Sequence, residues 1–102
     1  MPTSYVVLSK LEQIETELHT LHWWQEEPLK PEQYDFHSTF AMDTMTFSQW
    51  LQFIFIPKVR EAATTNHFPS QSQVAAQAIR EFDGVAEASY LITLLLEFDA
   101  LF

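Results

Sequence analysis

The chain has 102 residues, one glycine, no cysteine, and 5 basic against 14 acidic side chains, for a formal net charge of −9. Disulfides, thiolate metal sites and cysteine nucleophiles are therefore excluded, and a lone Gly84 excludes glycine-rich phosphate loops and the nucleophile elbow. Hydrophobic residues at 47% and aromatics at 15% supply enough apolar surface for one folded domain, residues 1–102, rather than a disordered chain.

From Thr3 or Ser4 to about Trp24 the pattern predicts an amphipathic helix. Val7, Leu11, Ile14, Leu18 and Leu21 recur at spacings of four and three, which places them on one helical face, and Thr3 or Ser4 can cap its start. From Gln25 to Met45 the period is lost. Pro28 and Pro31 disfavour helix, while Tyr34, Phe36, Phe40 and Met42 point to an ordered crossover with its rings tucked against the bundle.

Thr46 followed by Gln49 matches a capping box, so a second helix is expected to begin there. Its residues Trp50, Leu51, Phe53, Ile54, Phe55 and Ile56 are apolar nearly all round, which marks a central buried helix. Pro57 inside it predicts a kink, because proline lacks the N–H and clashes with the preceding turn. A third helix is expected from about Ser72 to Phe82, capped by Ser70 or Ser72 and ended by Gly84. A fourth runs from about Val85 to the C-terminus, with Glu97 and Asp99 facing outward. The expected fold is all-α: a small four-helix bundle with a long ordered crossover between helices 1 and 2 and a proline-kinked central helix.

Three groups of residues have the chemistry for a site. Glu15, His19 and His22 fall at spacings of four and three on the first helix, and imidazoles with a carboxylate suit zinc or iron; an ordinary surface pair accounts for the same spacing. Asp43, Thr44 and Thr46 precede the central helix, where a carboxylate or hydroxyl can cap free N–H groups or stand at the mouth of a pocket. Trp23, Trp24 and Trp50 can line a ligand pocket or a partner surface, although large rings in so small a chain are first of all core material. No catalytic residue, cofactor or metal is expected from these patterns.

The runs Phe40-Ala41-Met42-Asp43-Thr44-Met45, Trp50-Leu51-Gln52-Phe53 and Ile56-Pro57-Lys58 resemble the YqcC-like family of small bacterial proteins. His22-Trp23, Glu27-Pro28, Pro69, Leu95 and the terminal Phe98-Asp99-Ala100-Leu101-Phe102 fit it as well, in order and over nearly the whole chain. Phe40-Ala41-Met42 departs from the family's Pro-Phe-containing approach to Asp-Thr-Met. The resemblance implies a small helical bundle without an established activity, often encoded beside a tRNA pseudouridine synthase. That enzyme needs a catalytic aspartate in a larger mixed α/β domain, so the role does not carry over to Asp43.

The resulting expectation is a non-enzymatic interaction or accessory module, linked to tRNA modification through a protein partner. Its patch is expected around Asp43, Thr44, Trp50 and Gln52, with Trp23 and Trp24 nearby. The alternative is a small-molecule or enzymatic pocket between the crossover and the central helix, around Asp43 and Trp50. Scattered cations argue against direct nucleic-acid contact. The start of the chain lacks a leader pattern, and no apolar run approaches the ~20 residues that span a bilayer, so a cytoplasmic monomer or homodimer is expected.

Overall fold

In the computed structural model, which describes residues 3–102, every regular element among those residues is helical. Four helices carry the fold: α1 (Ser4–Thr20), α2 (residues 47–65), α3 (Val74–Glu81) and α4 (Ser89–Asp99). Short 3-10 turns at Pro31–Tyr34 and Ala86–Ala88 lie in the crossover and ahead of α4. α1 packs against both α4 and the second half of α2, and α3 packs on α4.

The Thr3 hydroxyl accepts the Val6 N–H at 3.3 Å and starts α1, whose buried seam is Val7, Leu11, Ile14 and Leu18. The helix stops at Thr20, four residues short of the expected Trp24. His22 takes a left-handed φ of 62°, Trp23 N–H donates to the Leu18 carbonyl at 2.9 Å, and His22 N–H donates to the His19 carbonyl at 3.0 Å. This is a Schellman ending in which histidine occupies the position that glycine usually takes. Without a glycine to mark it, the stop is silent in the sequence.

α2 begins with the expected capping box: Gln49 N–H donates to Thr46 Oγ1 at 3.2 Å, and Thr46 N–H donates to Gln49 Oε1 at 2.9 Å. Pro57 is accommodated one turn earlier, by a π turn over Leu51–Phe55 in which the Ile56 N–H reaches back five residues to the Leu51 carbonyl. The turn holds one residue more than an α turn, and this relieves the clash a proline imposes. It also has a side-chain effect. Residues five apart diverge around an α-helix of 3.6 residues per turn, yet here the Trp50 and Phe55 rings stack with centroids 5.5 Å apart. At its far end α2 closes on a left-handed Asn66, and the Ser4 hydroxyl lies 2.9 Å from both the Ala63 carbonyl and Asn66 Oδ1, pinning the start of α1 there.

Neither Ser70 nor Ser72 caps α3. Asp99, at the end of α4 and expected to face outward, does so instead: Oδ1 accepts the Val74 N–H at 3.2 Å and Oδ2 the Ala75 N–H at 2.8 Å, while the Ser72 hydroxyl donates to Oδ1 at 2.6 Å. The first-turn N–H groups of a helix lack internal partners, so a carboxylate from a neighbouring helix satisfies them as well as a local one. Gly84, at φ +80°, turns the chain towards α4 in a loop closed by the Val85 N–H on the Phe82 carbonyl at 2.9 Å.

The crossover, residues 21–46, lies on the bundle: the radius of gyration of 13.3 Å is that of a packed chain of this length. Leu29, Ala41 and Met45 anchor it in the core, Phe36 and Phe40 are half-buried, and Tyr34 and Met42 are exposed rather than tucked in.

Candidate functional site

The approach to α2 is tied together by its own polar groups. Asp43 Oδ2 accepts the His37 N–H at 2.9 Å, and Oδ1 accepts the Ser38 hydroxyl at 3.0 Å, while Ser38 Oγ accepts the Met42 N–H at 2.8 Å. The His37 N–H, with the Ser38 hydroxyl, holds the exposed Asp43 carboxyl below its ordinary value of 3.8, against a smaller opposing effect of desolvation. Thr44 donates to the Gln33 carbonyl at 2.6 Å and receives Gln33 Nε2 on its own carbonyl at 3.1 Å. Asp43 thus closes a loop, and Thr46 caps the helix.

Gln52 is buried, with both ends of its amide in use. Oε1 accepts the Gln25 N–H at 2.8 Å and Nε2 donates to the Gln25 carbonyl at 2.6 Å, so one side chain satisfies both backbone groups of the segment leaving α1. Gln49 Nε2 adds a bond to Gln25 Oε1 at 3.0 Å. Trp23 and Trp24 lie beyond the helix end, each half-buried. Trp23 rests against Phe82 with centroids 5.0 Å apart, and Trp24 stacks on His19 at 4.6 Å.

The three residues considered for a metal are not brought together. Glu15 pairs with Arg60 at 2.6 Å, His19 stacks on Trp24, and His22 lies past the end of α1 in its left-handed turn. Among the described residues no group of three or more His, Asp or Glu side chains is placed to hold a metal ion.

Trp50 belongs to an aromatic row that crosses the molecule. Phe47, Trp50, Phe55, Phe98 and Phe102 follow one another at centroid distances of 5.6, 5.5, 5.0 and 5.1 Å, and Phe68 meets Phe102 at 5.7 Å. Phe40 closes on Trp50 from the crossover at 5.0 Å, edge to face. From Trp50 onward this row forms the wall of a groove of about 380 Å³, between Phe40, the α2 stripe Phe55, Val59 and Ala62, and the segment from Phe68 to Val74. Lys58 flanks the groove, and no acidic side chain lines it. The groove lies where the crossover meets α2, and Trp50 is in its wall; Asp43 is not among its lining residues. Phe68, Phe98 and Phe102 escaped sequence reasoning as site residues, because four separate segments build the groove and only the surplus of phenylalanine hinted at it. A second concavity of about 390 Å³, beside Tyr5, Leu8, Glu12 and Arg60, mixes polar and apolar groups, and its arginine is already paired with Glu15.

The chain belongs to the DUF446 family, described as tRNA pseudouridine synthase C, which matches residues 6–101. This agrees with the YqcC-like resemblance carried by the Asp-Thr-Met, Trp-Leu-Gln and Ile-Pro runs. An uncharacterised protein of Haemophilus influenzae is 28% identical over 95 residues, covering 89% of this chain and 87% of the relative. The solution NMR structure of YqcC from E. coli superposes with a TM-score of 0.88 at 25% identity, covering 99% of this chain and 88% of that one. The family match and the superposition establish family and fold, and neither relative's name states an activity. Among the described residues no helix is long and apolar enough to cross a membrane.

Proposed function

We propose that the protein is a non-enzymatic interaction module that receives an apolar segment of a partner protein in the aromatic groove, and through that partner serves tRNA modification. The single observation that carries the reading is the groove itself: a concavity of about 380 Å³ walled by phenylalanine and tryptophan from four segments. Aromatic rings are the side chains that dominate protein-binding hot spots. The tRNA connection draws on the family's description as tRNA pseudouridine synthase C. With 5 basic against 14 acidic side chains, contact through a protein fits this chain better than contact with RNA phosphates.

The patch foreseen at Asp43, Thr44 and Gln52 moves to the groove in this proposal, because the polar groups of those residues already bond to the protein's own backbone or loop hydroxyl. Trp50 stays in it. The test is affinity capture from RNase-treated extract of the source cell, read by mass spectrometry, with wild type beside Ala62→Glu and Asp43→Asn. Ala62→Glu puts a charge in the groove wall, whereas Asp43 is not part of the lining. A partner lost from folded Ala62→Glu and kept by Asp43→Asn supports the proposal; a partner kept by both defeats it.

The groove also favours a second reading, a small-molecule site, because its volume falls in the ~300–1,000 Å³ range of ligand pockets and its lining is mostly apolar.

A further inference from the structure

The one ionised side chain in the groove's lining is a cation, Lys58, on a chain whose net charge is −9. The carboxylate that bonds to the lining, Asp99, is taken up by the Ser72 hydroxyl and the Val74 and Ala75 N–H groups. Lys58 stands on the exposed face of α2, beside the stripe Phe55, Val59 and Ala62 that forms one wall. Among the described residues Lys10 pairs with Glu97 at 2.8 Å and Arg60 with Glu15 at 2.6 Å, while no carboxylate lies within ion-pair reach of Lys58. Arg60, two residues on, reaches α1, so the two cations serve different faces of α2. The aliphatic stem of a lysine packs well along aromatic surface while its ammonium stays at the rim in water.

We infer that the groove's occupant is a peptide segment of a partner protein with large apolar side chains and one carboxylate, the apolar groups seated against Trp50, Phe55, Phe68 and Phe102 and the carboxylate at Lys58. This rests on the protein-docking reading above and names the chemistry of the partner. An apolar segment without an acid would leave the ammonium to water at the rim and forgo the charge pairing that selects a partner. A segment with a run of acids would meet the −9 charge of the surrounding surface, felt over a screening length of about 8 Å. A basic group would face Lys58 directly. One carboxylate on an apolar segment satisfies all three conditions, and a charge pair at an interface rim chiefly selects the partner.

The experiment selects displayed random dodecapeptides on the full chain, then synthesises an enriched peptide for measurement. The expected peptides share large apolar residues around one Asp or Glu, and their binding moves the amide resonances of Phe55, Lys58, Val59 and Ala62 in α2 and of Phe68 and Phe102. Changing that acid to its amide, or Lys58→Gln in the protein, each weakens binding about fivefold, and the two together weaken it little further. Lys58 is exposed, so its replacement does not threaten folding. Peptides that seat in the groove without an acid, or that bind Lys58→Gln unchanged, overturn the inference and leave the docking reading standing. Selection of no groove-binding peptide overturns both, and so does binding of decanoate alone, which marks a small-molecule site.

Discussion

Gln52 replaces what a strand partner would do for Gln25. Its amide donates to one backbone group and accepts from the other, across a separation of 27 residues. Gln52→Leu keeps the size and the helix but strands both groups of Gln25, and a part-buried backbone group left unpaired costs about 1–3 kcal/mol. The expected result is a loss of that order in urea unfolding, with the Gln25 amide exchanging faster; unchanged stability would show that the clamp is redundant. Asp43 works at the surface and through pH. Its folded pKa lies below 3.8 because the His37 N–H and Ser38 hydroxyl bond the ionised form. Its hold on the loop is therefore present above 3.8 and is lost as pH falls through the lower, folded value. Carboxyl NMR should place the midpoint below 3.8, and the His37 amide shift should follow the same curve and lose it in Asp43→Asn. From residue types alone, Asp43 read as a cap or a pocket acid, and Thr46 already held the cap.

At the scale of elements, the parts that follow a local rule were legible. The α1 seam, the Thr46–Gln49 box and the turn at Gly84 each rest on residues within a few positions of one another. The parts that were not legible depend on partners far along the chain or on an uncommon conformation. His22 ends α1 without a glycine, and the π turn answers Pro57 from Leu51–Phe55, ahead of the proline itself. Asp99 caps α3 across 24 and 25 residues, which no N-cap rule reads from sequence. Replacing it tests the cap: Asp99→Ala should cost about 0.5–2 kcal/mol of stability, and Asp99→Asn less, since the amide can still accept. Circular dichroism should show the same helices in both, with the Val74 and Ala75 amides losing protection first.

For the molecule as a whole, composition foretold an aromatic interior, and the row from Phe47 to Phe102 is its backbone. Edge-to-face and stacked pairs of this kind add about 0.5–1.5 kcal/mol each beyond burial, which explains how a chain without disulfides holds together on packing. The sequence pointed to a pocket between the crossover and α2 with Trp50 in it, but Asp43 is not in its lining, and the 68–74 segment and the end of α4 that complete the groove join it only in the folded chain. That dependence has a counterpart in stability. α3 is eight residues long, below the ~12–15 at which a helix is even marginal by itself, and the carboxylate that completes its first turn arrives on the far end of α4. The first turn of α3 is therefore complete only when the end of α4 is in place, which makes α3 the element expected to open first. Native-state hydrogen exchange should find α3 opening as a separate unit at a free energy below that of global unfolding, while the seam amides of α1 and α4 stay closed. A groove wall that leads into a helix capped from afar would then open and close with that helix, so the groove's occupant would steady α3 by binding.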